Sequence, residues 1–418
     1  MTTEVAVMNP IAIALAADST VTFGRRKTYD SAEKLFELSP KHPVALLNFG
    51  NAEFMGVPWE VLFKLFSEHI GPRQLEHITD YRDEFTRFIE TAEICAESKI
   101  QTELVGQYLR SYLEDLVHEA DGEGANDEKN GKRLSARAER QCAASMRQEL
   151  KEWLEEPDLP NLPEGYGDRL LKEYSSVVHS VIAQVLGKAS VSSEVREGLP
   201  QVLRARFTKQ RFSDDCSGVV IAGFGIKDHF PVVESILVDG IAAGRLKWMG
   251  HKSARIDPDC HSEILTFAQD ETVNGFLYGV EDRVYERFFD SLDGVLAKYL
   301  AVVTEKAGLD EQTLKKLAEI GPASRASVIK DFNKSFGEAI YSEYGIFEAV
   351  SGLPKHELAR MAESLVRMRS FRLHVDARKI DSVGGAVDVA VISKKDGFVW
   401  VRRKRYFDPA LNPGHRYI

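Results

Sequence analysis

The chain has 418 residues, of which 44% are hydrophobic, 28% charged and 9% aromatic. That is the usage of a globular protein with room for one large or two ordinary domains, so wholesale disorder and a fibrous repeat are excluded. A formal net charge of −10 at pH 7 gives no general attraction to nucleic acid or to an anionic membrane surface, and neither is expected as a partner.

Residues 5–8 (VAVM) and 11–17 (IAIALAA) are apolar runs on either side of the turn pair Asn9-Pro10. No polar residue alternates with the apolar ones, so they read as a hairpin whose strands are buried on both faces. With Asn9-Pro10 as a two-residue turn, Met8 faces Ile11 and Thr2 faces Ala17. A second hairpin reads from Lys34-Leu35-Phe36 through Ser39-Pro40-Lys41 into the apolar residues 44–47. Helical patterns follow over 58–70 and 81–117.

Residues 121–133 (DGEGANDEKNGKR) are rich in glycine and charge, and 156–168 (EPDLPNLPEGYGD) carry prolines and glycines. Both read as loops of the kind that hinge a lid or dock a partner, inside a helical insertion over 119–205. Strand character returns at 218–223, 232–238 and 245–248. Helices are expected over 284–300 and 356–368, the latter with Pro354 at its start and Leu358, Met361, Leu365 and Met368 on one face. The polar, helical stretch between 309 and 344 falls in a second expected insertion, 300–350. The chain ends in a hairpin, 387–392 and 398–401, and the basic run Arg402–Arg405 reads as a solvated tail. Strands, helices, strands, helices and strands in that order suit two packed sheets with helices on both outer faces.

The four cysteines, Cys95, Cys142, Cys216 and Cys260, are scattered and form no CxxC pair, which points to a reducing compartment. Cys260-His261 lacks two further ligands at sensible spacing, so no metal is expected. Gly244–Ser253 (GRLKWMGHKS) is one residue too long for a phosphate loop. GxSxG and HExxH are absent, and no cofactor is expected. The start of the chain has no basic region, and no apolar run approaches the roughly 18 residues of a membrane span. A cytoplasmic location is the expectation.

Removal of Met1, expected before a small residue, makes Thr2 a terminal threonine with hydroxyl and amine on adjacent carbons. An unperturbed α-amine has a pKa of about 7.7–8.0 and can act as a base near neutrality. The hairpin register brings Asp18 to the same end. Lys34 opens the next hairpin, and its cation can pair with Asp18 and lower the pKa values of the hydroxyl and amine. The alternative is that Asp18, Ser19 and Thr20 form a turn and Lys34 is a surface residue.

The stretch TTEVAVMNPIAIALAADSTVT…SAEKLFELSP resembles the start of a mature proteasome β-type subunit, an N-terminal-nucleophile (Ntn) hydrolase. Thr2, Asp18 and Lys34 match that family's threonine, acid and lysine offsets. The closing stretch DSVGGAVDVAVISKKDGFVWV is similar to its last loop and hairpin, and GVVIAGFG, VDG and FLYGV to its middle strands. The resemblance implies an α+β fold, a four-layer α-β-β-α sandwich forming a single domain over 1–418, with the two insertions inside it. It implies a backbone oxyanion donor at Gly50, and a closing-loop role for either Asp381 or Ser382, because that loop is one residue short of the family pattern. Thr20 stands where the family has arginine, and Thr272 corresponds loosely to a family serine.

Two function readings follow. In the first, a threonine-type peptidase or amidohydrolase cleaves amide bonds, most naturally in a peptide or protein, through an acyl-enzyme on Thr2. An unfoldase or regulatory partner and a homo-oligomer are implied by the resemblance. In the second, the chain is a catalytically silent proteasome-like scaffold or interaction subunit.

Overall fold

The computed structural model describes residues 3–23, 27–29, 32–121, 136–186, 193–213, 215–268, 271–279, 281–307, 345–375 and 385–405, with scattered residues between 312 and 335 and between 407 and 411. Two compact units are present, one from residues 1–35, 229–231 and 254–418, the other from 36–228 and 232–253. Strands and helices are numbered in chain order.

The first unit is built on a five-stranded antiparallel sheet. Its order is β12 (Glu263–Ala268), β1 (Thr3–Met8), β2 (Ile13–Ala17), β13 (Asp388–Ser393) and β14 (Gly397–Arg402). Every residue of β1, β2 and β13 is buried, including Glu4 and Asp388 near the strand starts, and the apolar residues 5–8, 13–17 and 389–392 suit central strands. Helix α12 (Lys355–Val375) lies on one face, where Leu358, Ala362, Leu365 and Val366 meet Val5, Val7, Ala14, Ala16 and Val389. The small residues of β2 let the helix approach closely. Each fully buried Val or Leu here contributes roughly 1.5–3 kcal/mol relative to exposure. Helices α9 (Glu271–Tyr278), α10 (Asp282–Ala307) and α11 (Ile346–Ser351) belong to the same unit.

The second unit holds another five-stranded sheet, in the order β11 (Arg245–Arg255), β10 (Val232–Ala242), β9 (Ser217–Gly223), β6 (His42–Gly50), β5 (Leu35–Ser39). Alternate residues Val44, Leu46, Val219, Ile221, Ile236 and Val238 form one core with α1 (Trp59–Ile70) and α2 (Ile78–Thr91). A separate core joins α4 (Ser98–Asp121), α5 (Ala136–Glu155), α6 (Tyr166–Glu173), α7 (Ser175–Val185) and α8 (Ser193–Thr208). On the sheet, Gly218 lies under the Phe49 ring; a Cβ there would stand 1.9 Å from Phe49 Cζ.

Several expectations are corrected. The first hairpin closes between Asn9 and Ala12, with Asn9 N–H donating to Ala12 O at 3.1 Å, so the two-residue loop is Pro10-Ile11. The register is Met8↔Ile13 and Glu4↔Ala17, two residues from the expected one. The cause is the Asn9 side chain. Its Oδ1 accepts from Ile11 and Ala12 N–H, and its Nδ2 donates to Val350 O and Leu353 O, which fixes Asn9 in the interior and leaves Ile11 exposed. A shift of two preserves the faces.

The helical pattern over 81–117 is three helices, broken where Ala92 (ψ 115°) and Glu97 (ψ 129°) flank α3 (Glu93–Ala96). The FLYGV stretch, which resembles a strand, is helical over residues 276–278, and β12 was not legible as a strand. The proline-rich break after α5 is tied rather than hinged: Leu159 N–H donates to Thr208 O at 2.8 Å and Gln210 N–H to Pro157 O at 2.9 Å. The glycine- and charge-rich break lies outside the described residues from 122 to 133.

Candidate functional site

The corrected register carries Asp18 to the start of β1. Asp18 N–H donates to Thr3 O at 3.3 Å, and Thr3 N–H donates to the Asp18 carboxylate at 3.2 Å. The chain then leaves through a short antiparallel pair, β3 (Val21–Phe23) and β4 (Lys27–Tyr29), and comes back to Lys34. This return closes the sixteen-residue spacing. Lys34 Nζ lies 2.5 Å from Asp18 Oδ1. It also lies 3.4 Å from Glu4 Oε1, and the three side chains are between 0% and 3% exposed. Asp18 and Lys34 are therefore a buried ion pair, not a surface turn and a surface lysine.

The segment that carries Lys34 is held from two sides. Ala32 N–H donates to Ser19 O at 3.0 Å, and Ser19 Oγ donates to Ala386 O at 2.8 Å. Lys404 donates from Nζ to Ala32 O and to Asp388 Oδ2, the latter at 3.0 Å, while its backbone N–H donates to Asp388 Oδ1 at 2.7 Å. Arg403 stands 3.7 Å from Glu33 and over the Trp400 ring. The basic run at 402–405 is thus not a solvated tail: Lys404 is a clamp between β13 and the Lys34 segment.

Of the other expected site residues, Thr2, Asp381 and Ser382 lie outside the described residues. Gly50 ends β6 in the second unit with φ of 79°, a conformation that favours glycine; a Cβ there would stand 2.6 Å from Cys216 O. Thr272, on α9, accepts a hydrogen bond from Arg369 at 2.6 Å. Sequence reasoning missed Glu4 and Lys404. Glu4 had a signal, as the charged residue of an otherwise uncharged strand. Lys404 had none, because its partners Ala32 and Asp388 are apart in sequence.

A second group of buried charges lies in the second unit. Arg206 makes a two-pronged ion pair with Asp239, which also accepts from Ser213. Burial alone would raise the Asp239 pKa, but Arg206, Lys247 and Ser213 together hold it below the usual carboxylate range. Lys247 Nζ, fully enclosed, donates to Arg211 O and to Asp239. Burial first, and Arg206 second, push its pKa down to about 7. Beside this group a cavity of about 510 Å³ is walled by Tyr108, Tyr112, Glu149, Trp153, Arg206 and Arg211.

Chemically, the Asp18–Lys34–Glu4 group sets a fixed cation and two anions at the first described residue of the chain. A cation there favours deprotonation of a neighbouring hydroxyl, and the anions favour protonation of a neighbouring amine. Among the described residues no group of three or more His, Cys, Asp or Glu side chains is placed to hold a metal ion. No described helix is long and apolar enough to cross a membrane.

No family model matches the chain, and no curated protein matches it. Among solved structures, the chain is similar to a mutant of Anbu from Hyphomicrobium sp. strain MC1, with 11% identity and a TM-score of 0.32 over 97% of this chain and 87% of that one. It is similar also to Anbu from the same strain, with 10% identity and a TM-score of 0.30 over 96% and 86%. Anbu, an ancestral beta-subunit, from Yersinia bercovieri gives 10% identity and a TM-score of 0.29 over 97% and 88%.

Proposed function

We propose that the chain is an N-terminal threonine hydrolase that cleaves amide bonds, most naturally peptide bonds, through an acyl-enzyme on Thr2. The observation that carries the reading is the enclosed Lys34–Asp18 pair, hydrogen-bonded to the backbone N–H of Thr3 and so one residue from the proposed nucleophile. A buried ion pair at this place is costly to fold and adds little net stability, so a role in chemistry accounts for it better than a role in packing.

In the proposed reaction, Thr2 Oγ attacks the amide carbonyl carbon and its proton passes to the Thr2 amine. The C–O bond forms as the carbonyl becomes an oxyanion, which a backbone N–H donor receives. Collapse breaks the C–N bond, and the Thr2 ammonium gives its proton to the leaving amine. Water, deprotonated by the same amine, then releases the acyl group. Lys34 lowers the cost of the deprotonated hydroxyl, and Asp18 holds Lys34. Either Asp381 or Ser382 completes the site from the closing loop.

The same proposal includes the four-layer α-β-β-α sandwich as one domain, with insertions at 119–205 and 300–350, a cytoplasmic homo-oligomer, and an unfoldase or regulatory partner. The test is covalent labelling of the full chain with a terminal-threonine-directed electrophile such as an epoxyketone, followed by mass mapping. An adduct on Thr2, lost in Thr2→Ala and kept in part in Thr2→Ser, is expected. Retained Met1 and no adduct would overturn the reading and leave the scaffold reading in its place.

A further inference from the structure

The proposed reaction makes no use of the cavity of about 510 Å³ in the second unit. It lies among α4, α5, α8 and the chain that follows α8, and its lining comes wholly from that unit. Its size falls within the roughly 300–1,000 Å³ of small-ligand sites. Three of its side chains are aromatic and in contact. The Tyr108 and Tyr112 ring centroids are 6.4 Å apart, and those of Tyr112 and Trp153 6.0 Å. Arg206 stands over the Tyr108 ring at 4.8 Å, and Arg211 over the Trp153 ring at 5.2 Å.

The first clue to a ligand is a set of open donors. Tyr108 Oη, Trp153 Nε1 and Arg206 Nε are buried without a hydrogen-bond partner among the described residues. Trp153 is only 9% exposed and the Arg206 side chain 10%. Arg206 commits its two terminal nitrogens to Asp239, which leaves Nε–H over. That group and the indole N–H can only donate, and burial raises the Tyr108 pKa, which keeps its hydroxyl protonated. Buried donors without acceptors destabilise the fold, and an entering acceptor recovers that loss. The donors are shared between two stacks, Arg206 on Tyr108 and Arg211 on Trp153, which Tyr112 joins. Several acceptors along one chain answer that arrangement better than a single small anion does.

The second clue is charge. Four lining carboxylates, Asp115, Glu119, Glu149 and Asp215, face two lining guanidiniums, and Arg206 is already matched by Asp239. Burial first, and then the charge of Glu119, raise the Glu149 pKa, against the Tyr112 hydroxyl and Arg211, which lower it. A cation entering beside these two carboxylates would relieve their repulsion. Asp115, Glu119 and Asp215 are exposed and would steer it in.

We propose that this cavity binds a short basic peptide, its backbone carbonyls accepting from Tyr108, Trp153 and Arg206 and its cationic side chains meeting Glu149 and Glu119. Binding needs no turnover, so the inference does not rest on the proposed function.

The test is titration calorimetry of the full chain with N-acetylated trilysine amide, which carries cations and carbonyl acceptors. Spermidine carries cations without acceptors, and N-acetylated triglutamate amide carries acceptors with the opposite charge. The trilysine peptide is expected to bind, spermidine about 10-fold more weakly and the triglutamate peptide not at all. Glu149→Gln should weaken trilysine binding by about 10-fold or more, and Glu119→Gln takes its place if that variant does not fold. Trp153→Phe and Tyr108→Phe, which keep the rings and remove a donor, should weaken the trilysine peptide several-fold and leave spermidine unmoved. A distorted cavity would weaken both probes equally and overturn the inference. So would equal affinity for spermidine, wild-type binding in both donor variants, or no binding of the trilysine peptide.

Discussion

Lys34 Nζ is 2.5 Å from Asp18 Oδ1, across a sixteen-residue excursion of the chain, and neither side chain reaches solvent. The pair is thus both a chemical element of the proposed site and a structural one. Lys34→Ala leaves Asp18 and Glu4 buried without their shared cation, at a cost of about 3–5 kcal/mol. Labelling of Thr2 in the folded fraction is expected to fall by about 100-fold or more. Arg is not expected to rescue, because a planar fork does not fit where a point charge sits. Asp18→Asn should fall in the same direction by less. Wild-type labelling by folded Lys34→Ala would remove Lys34 from the mechanism.

Lys404 bridges Asp388 to the carbonyl of Ala32, two residues before Lys34. Lys404→Met leaves the Asp388 carboxylate with the backbone N–H of residue 404 but without an ammonium. A loss of about 1–3 kcal/mol in urea unfolding is expected, together with a several-fold slower labelling of Thr2. Lys404→Arg should recover most of the stability. If Lys404→Met leaves both the urea midpoint and the labelling rate unchanged, the clamp has no function.

Lys247 gives a pH signature in the second unit. Its folded pKa, pushed down to about 7, lies below the unfolded value of about 10.4. Between these values the unfolded chain binds more protons than the folded one, so this residue makes stability rise with pH from about 7 toward 10.4. Below pH 7 the lysine is protonated in both states and its full penalty is present. Urea midpoints measured from pH 6 to 9.5 should therefore climb more steeply in the wild type than in Lys247→Met. Parallel profiles for the two proteins would contradict this assignment.

Gly218 has no room for a side chain, because a Cβ would stand 1.9 Å from the Phe49 ring. Gly218→Ala is expected to cost about 1–3 kcal/mol by overpacking. In the background of Phe49→Leu the cost of the same substitution should shrink. Equal costs in both backgrounds, measured by denaturant unfolding, would show that the Phe49 ring is not what Gly218 accommodates.

Much of this was legible in the chain because short-range physics writes it there. The doubly apolar runs before and after Asn9-Pro10, the Pro40-Lys41 turn and the terminal hairpin all appear where pattern and turn chemistry put them. The pairing of Asp18 with Lys34 followed from spacing and resemblance. The helix over 81–117 failed because extended backbone at Ala92 and Glu97 interrupts an amphipathic pattern that carries no proline or glycine at those points.

By itself, the sequence determined most of the strands, β12 excepted, which faces they share and that an acid and a lysine return toward the first strand. These follow from local propensity and from periodicity, which a one-dimensional pattern retains. Only the tertiary structure decided the register, the second carboxylate and the clamp. Asn9 sets the hairpin by bonding Val350 O and Leu353 O, more than 300 residues away. Glu4 meets Lys34, and Lys404 meets Ala32, only once the segments are packed. Buried charge must find opposite charge wherever the folded chain places it, and no periodicity encodes where that will be.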